Sequence, residues 1–346
     1  MPKMMRDNDL VLPLALTMGE PSGIGPEITL KAWIERGSRS LPPFFVVGDA
    51  SLYRETALCL GIDVPVREID VPKEAVTVFP DALPVLPSPI LLAEKPVSGL
   101  LSAANAAAVL SSIDLACDFV LQDKAAGIVT NPIHKRALYE AGLTMPGHTE
   151  YLAERSGGAT PVMMLSCPGL RVVPVTVHLS LRAAVAALSV QKIVGQGVIL
   201  ARSLARDFGI ARPRIAVAAL NPHAGEEGHL GREEIEIIAP AIKAMQAQAP
   251  NAEIRGPAPA DTLFHAAARK HYDAVLCMYH DQALIPLKTI DFEHGVNTTL
   301  GLPIVRTSPD HGTALDIAGS GRAHPGSLIE AIRMADGIAR CRAAAT

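Results

Sequence analysis

DAVLCMYH, residues 273–280, is the stretch on which the fold turns: five uncharged, mostly apolar residues after Asp273, then Tyr279 and a histidine. A short Val/Leu-rich run bounded by polar residues reads as a strand buried on both faces, as in a parallel sheet covered by helices. Two further runs close in the same way. VVPVTVH ends on His178, and RIAVAALNPH ends on His223. Other apolar runs fall at Leu12–Thr17, Phe44–Val47, Gly127–Thr130 and Pro303–Arg306. Helical patterns separate them, at Glu27–Arg36, Ala103–Leu121, Leu181–Phe208, Glu233–Gln248, Thr262–Lys270 and Ser327–Arg340. Strand and helix in alternation predict an α/β protein built on mainly parallel sheets. Residues 62–97, rich in Pro and Val, lack helical periodicity and read as irregular strands or a peripheral excursion.

At 346 residues the chain exceeds one ordinary core, so two lobes with a cleft are expected. Hydrophobic residues make up 49% and aromatics only 4%, which suits aliphatic parallel-sheet packing and not a base-stacking surface. The net charge of −4 has no basic patch behind it, so nucleic acid and anionic membranes are not expected partners. No uncharged apolar stretch is long enough to span a bilayer, and the segment after Lys3 and Arg6, Leu10–Met18, reads as a first strand and not a leader. Cys59, Cys117, Cys167, Cys277 and Cys341 are scattered, with no C-x-x-C spacing. They predict reduced thiols and a cytoplasmic protein.

Ligands of parallel α/β sheets bind beyond the carboxyl ends of the strands, where His178, His223 and His280 are all expected. Three imidazoles there can hold a divalent ion and leave coordination sites open to substrate. Each alone serves equally as a strand cap; their shared placement is what points to a metal. Asp281 could orient His280, or be a solvated turn residue. MPGHTEY places His148 and Thr149 at the start of a helical pattern, where free N–H groups favour an anion. Lys288, Asn297 and Arg306 add cationic and amide donors. The loop DHGTALDIAGSGRAHP, from Asp310, carries Gly312, Gly319 and Gly321, which permit positive φ and close backbone approach to a nucleotide. MGEPSGIGPE, residues 18–27, fits neither a dinucleotide nor a P-loop fingerprint and reads as a tight strand-to-helix turn.

Taken together, TMGEPSGIGPEI, VTNPIHK, GHTEY, LNPHAGEEGHLGREE, GPAPADTLFH, MYHDQALIPLK and VRTSPDHGTALDIAG resemble the 4-hydroxythreonine-4-phosphate dehydrogenase family across nearly the whole chain. The resemblance implies a two-lobed fold like that of isocitrate and isopropylmalate dehydrogenases, with residues 1–140 and 304–346 in one lobe, 141–303 in the other and the active site in the cleft. It implies oxidation of 4-phosphohydroxy-L-threonine by NAD, or NADP, to 2-amino-3-oxo-4-phosphooxybutanoate. That β-keto acid loses carbon dioxide to give 3-amino-2-oxopropyl phosphate on the way to pyridoxine 5′-phosphate. A divalent metal (zinc, magnesium or cobalt) is implied on His178, His223 and His280. Substrate contacts are implied at His148, Thr149, Lys288, Asn297 and Arg306, with Lys288 a proton relay or a charge partner. Gly312 and Asp316 are implied on the cofactor, and a homodimer with its active sites near the interface. Related dehydrogenases of 4-phospho-D-erythronate, 4-phosphothreonate or cis-dihydrodiol carboxylates, and phosphate acyltransferases, remain as alternatives.

Overall fold

The computed structural model describes residues 12–142 and 147–345. Lys3, Arg6 and Leu10, and Met145 and Pro146 of MPGHTEY, lie outside the described residues. In chain order the elements begin β1 (Leu14–Thr17), α1 (Gly25–Ile34), β2 (Phe44–Gly48), α2 (Ala50–Leu60), β3 (Val66–Glu68), α3 (Ala75–Val78), β4 (Leu83–Pro87), α4 (Ala106–Leu121), β5 (Ile128–Val129), α5 (Lys135–Glu140) and α6 (His148–Arg155). They continue as β6 (Val162–Cys167), β7 (Leu170–Pro174), α7 (Leu181–Ala186), α8 (Val190–Phe208), β8 (Arg214–Ala218), α9 (Ala239–Gln248), β9 (Glu253–Ala258), β10 (Ala274–Cys277), α10 (His280–Ile290), β11 (Val296–Leu300), β12 (Arg306–Pro309) and α11 (Gly326–Ala344).

The chain divides into two compact units, residues 1–157 with 304–336, and residues 158–303 with 337–346. Against the sequence reading, the first division lies after residue 157 and not after 140, and residues 337–346 join the second unit. Helix α6 belongs to the first unit because Tyr151 Oη donates to Asp114 and Arg155 Nη2 to Asp118, both on α4. The end of α11 belongs to the second, where Arg342 bonds Asp207 and the Pro303 carbonyl.

Strands of the first unit lie in the order β3-β4-β2-β1-β5-β12, every pair parallel. Leu14, Leu16, Phe44, Val46 and Ile128 are fully buried, as expected of strands covered on both faces. Asp49 caps α2 by accepting from the Ser51 amide, and Gly61 ends it in the left-handed region. The stretch Ala103–Leu121 is apolar enough to cross a membrane by length and composition, yet half of it is buried here. Its Asp114 and Asp118 are the partners of α6 just named.

The second unit orders its strands β11-β6-β7-β10-β8-β9. β6 is antiparallel to both β11 and β7; the other pairs are parallel. One sheet face packs Val173, Val175, Val217 and Leu276 against Ile193 and Leu200 of α8. The opposite face packs Val172, Val275 and Cys277 against Ala283 and Leu287 of α10. Gly197 admits Met245 of α9 against α8; a side chain there would collide with the thioether sulfur.

Several elements depart from the sequence reading. Leu181–Phe208 is two helices, because the Ser189 hydroxyl accepts from the Lys192 amide and starts a new one. Thr262–Lys270 is not a helix: with Leu263 alone buried in that run, it folds as short 3₁₀ turns. β12 starts where the predicted Pro303–Arg306 strand ended. Residues 62–97 contain β3 and β4, ordered strands of the first sheet. All five cysteines are free thiols; Cys117, Cys167 and Cys277 are buried.

Candidate active site

In the second unit, β7 and β10 carry their pairing past the ends of the strands. Val175 N donates to Cys277 O at 2.7 Å, and Thr176 Oγ1 donates to Met278 O at 2.8 Å. Gln282 braces the same ends, accepting from Met278 N and donating to Ala219 O beyond β8. This continued register brings His178 and His280 together, with ring centroids 6.2 Å apart. They line a cavity of about 210 Å³ with Leu181, Tyr279 and Asp281. The His280 Nδ1 lies 2.7 Å from Asp281 Oδ1, which leaves Nε2 as the ring nitrogen available to a ligand. His178 has φ +54°, a left-handed conformation uncommon outside glycine.

His223 sits differently. It is exposed, and it opens a turn in which His223, Ala224, Gly225, Glu226 and Glu227 all have positive φ. Each non-glycine residue there costs about 1 kcal/mol or more, so something must impose the conformation. Glu234, buried, accepts from the Leu220 and Asn221 amides at 2.8 and 2.7 Å and from Asn221 Nδ2 at 2.9 Å. A side chain at Gly225 would meet Glu234 Oε2. This carboxylate is the residue that sequence reasoning missed. Its signal was present in LNPHAGEEGHLGREE, but nothing there separates a buried glutamate from its solvated neighbours. Among the described residues, no three His, Cys, Asp or Glu side chains group so as to hold a metal ion.

Lys288 lies two turns into α10, half-buried, with Nζ 5.3 Å from the Phe292 ring. Asn297 lies on β11 opposite Leu165, and its Oδ1 is buried with no hydrogen-bond partner among the described residues.

The first unit holds the other site residues. Arg306 opens β12 beside β5, is 4% exposed, and donates Nη2 to Thr130 Oγ1 at 2.8 Å. Burial pulls its pKa down to about 10, partly offset by Glu150, so it stays a cation at neutral pH. His148, the first residue of α6, has its Nε2 buried, with no hydrogen-bond partner among the described residues. Burial, then the charges of Arg306 and Lys135, hold His148 well below the usual imidazole range. It is therefore neutral at pH 7. Thr149 follows, half-buried, in the first turn of a helix whose N-cap, Gly147, offers no side-chain bond to the leading amides. Asn131, after β5, donates Nδ2 to Thr17 O and Thr29 Oγ1 and ties the start of α1 to this pocket.

The Gly-rich loop is in the same unit. Gly319 and Gly321 have φ +72° and +75°; Gly312 does not use a positive φ. Instead Gly312 is exposed, and among the described residues none but its chain neighbours comes within 4 Å of where a side chain would begin. That open backbone fits the close approach of a dinucleotide. Asp316 is exposed on the same loop.

A parallel α/β fold with paired imidazoles beyond the carboxyl ends of β7 and β10 in one unit, and a buried guanidinium opening β12 in the other, suits an α/β enzyme of small anionic metabolites. The comparisons narrow the class. Residues 40–335 match the family described as pyridoxal phosphate biosynthetic protein PdxA, and the chain belongs to that family. It is 53% identical to the 4-hydroxythreonine-4-phosphate dehydrogenase of Caulobacter vibrioides, over 95% of this chain and 98% of that one. To the enzyme of that name from Bradyrhizobium diazoefficiens it is 49% identical, over 97% and 99%. A crystal structure of 4-hydroxythreonine-4-phosphate dehydrogenase from Klebsiella pneumoniae superposes with TM-score 0.85 at 41% identity, covering 95% of this chain and 100% of that one.

Proposed function

We propose that this chain oxidises the secondary alcohol of 4-phosphohydroxy-L-threonine with NAD, and that the β-keto acid formed loses carbon dioxide to give 3-amino-2-oxopropyl phosphate. The observation that carries the reading is the cluster of Arg306, Thr130 and His148. A buried guanidinium beside a neutral imidazole suits a phosphate, whose charge offsets the cation while its oxygens supply acceptors. The names of the relatives support the same substrate.

In this reading Arg306, His148 and the amides around Thr149 bind the phosphate, and the Asn297 Oδ1 takes a donor of the amino-acid end. His178 and His280, with Asp281 fixing the ring of His280, face the alcohol. Lys288 Nζ either receives the alcohol proton or pairs with the carboxylate. Gly312 and Asp316 line the place of the dinucleotide, which supplies the hydride acceptor. A divalent metal would be held by His178 and His280, with His223 on a separate turn, and would lower the pKa of the substrate alcohol. The resemblance also supports a homodimer, which light scattering on the purified protein would test.

The deciding experiment follows NAD reduction with 4-phosphohydroxy-L-threonine and 4-phospho-D-erythronate side by side, with zinc, magnesium or cobalt added. The expected result is kcat/KM at least about tenfold higher for the threonine derivative, the size of one good polar contact. Equal or reversed preference overturns the substrate, and no NAD reduction with either overturns the reading.

A further inference from the structure

Helix α1 carries an ion pair that the reading above leaves unused. Glu27 is buried, its side chain 1% exposed, and Lys31, one turn on, is 23% exposed. The Lys31 Nζ donates to three acceptors, each at 2.7 Å: Glu27 Oε1, the Gly321 carbonyl and the Ala323 carbonyl. Glu27 Oε1 in turn accepts from the Ala323 amide at 2.9 Å. An ammonium has three protons to give, and all three are used. Two side chains of one helix thus hold the backbone of Gly321–Ala323, nearly three hundred residues away in sequence.

The rest of that loop rests on the same N-terminal region. Ile24 N donates to Thr313 O, and a side chain on Gly23 would strike that carbonyl. A side chain on Gly99 would strike the Leu315 carbonyl, and one on Gly319 would strike Ser98 Oγ. Against this bed Ala314, Gly319 and Gly321 all hold positive φ. Left-handed backbone at Ala314 persists only where surrounding structure imposes it.

We propose that Glu27 and Lys31 are positioning residues that hold the loop from Asp310 to Ala323 in the shape that takes the dinucleotide. The inference rests on reading that loop as the cofactor site. Its physical basis is that charge-assisted contacts from Lys31 hold the Gly321 and Ala323 carbonyls, and Glu27 holds the Ala323 amide, so the backbone is fixed on both sides of Arg322.

The test uses NADH binding, followed by cofactor fluorescence in the full-length protein, together with steady-state kinetics. Lys31→Met keeps the aliphatic stem and removes the three donors. It is expected to raise the Kd for NADH and the KM for NAD about tenfold while kcat at saturating NAD and substrate affinity change less than about twofold, and to speed amide exchange over 319–325. Unchanged NADH affinity overturns the proposal, as does a parallel fall in NADH affinity, substrate affinity and kcat, which marks a general loss of structure. Should Lys31→Met fail to fold, Glu27→Gln, which keeps an acceptor for the Ala323 amide, is scored by the same two criteria. Gly312→Val isolates the premise, since its side chain enters open space. If Gly312→Val leaves NADH binding intact, the loop is not the cofactor site, and the proposal falls with that reading. If it weakens binding while Lys31→Met does not, the proposal alone fails.

Discussion

The arginine pocket of the first unit and the histidine pair of the second hold their groups in opposite ways. Arg306 is buried and bonded to Thr130, and the neighbouring His148 is kept neutral by burial and by nearby cations. His178 and His280 sit on a partly open cavity, with Asp281 mostly in solvent. The first arrangement has already removed its charges from water, so an anion that binds there would gain without waiting for side chains to assemble. The second is anchored by backbone register, with its imidazole faces accessible to whatever joins them. A buried site loses much when one group is removed; an exposed one is tuned by its neighbours.

The largest expected effect comes from breaking the buried side. Arg306→Met keeps most of the volume and removes the guanidinium. The KM for the phosphorylated substrate should rise by about 10²-fold or more, the scale of losing a buried charged contact. A dephosphorylated analogue, poorly used by the parent, should be little affected by the substitution. Equal losses with both substrates would move the phosphate elsewhere.

A smaller change is expected on the exposed side. If the paired histidines hold a divalent ion, Asp281→Asn should weaken cobalt or zinc binding by about 10–100-fold, since Asp281 fixes the ring of His280. His223→Ala then decides whether the turn held by Glu234 contributes. Metal affinity unmoved by both substitutions would leave the cavity as an organic-ligand site.

The smallest effect is on stability, and it sharpens the contrast through pH. His148 is neutral when folded and titrates in the ordinary range, near 6.5, when unfolded. Below that value the unfolded chain binds the extra proton, so stability is fully present above it and falls as pH drops toward the folded value. His148→Gln should lose less stability than the parent on acidification from pH 7 to about 5, as read by urea midpoints. Saturating phosphate should weaken this dependence by stabilising the imidazolium. Identical pH profiles for the two proteins would remove His148 from the buried pocket.

The parallel part of the architecture was legible because strands covered on both faces are written as apolar runs: β2, β8 and β10 fell where Phe44–Val47, Arg214–Leu220 and Ala274–Met278 predicted. β11 was hidden because VNTTL mixes Asn and Thr into a strand that is antiparallel to its neighbour. β9, EIRGPA, stands at the end of the strand order and is half polar. α10 was masked by Pro286 inside it, although His280 at its start was noticed. For the site, shared placement at strand ends singled out His178, His223 and His280; the rings of His178 and His280 lie together, while His223 is on an exposed turn. The supports were not visible. Glu234 and the pair Glu27 and Lys31 act through backbone atoms elsewhere in the chain, Thr130 acts on the side chain of Arg306, and no local pattern records which distant group a side chain will reach.

Residues 1–157 form the first unit together with 304–336, and β12, which begins at Arg306, pairs with β5. During synthesis most of the second unit therefore emerges from the ribosome before the first can be finished. The surroundings of Arg306 and the loop seated on α1 are among the last features to form. A chain stopped near residue 300 would contain the histidine pair but not Arg306, with β5 lacking the β12 neighbour that the complete chain supplies.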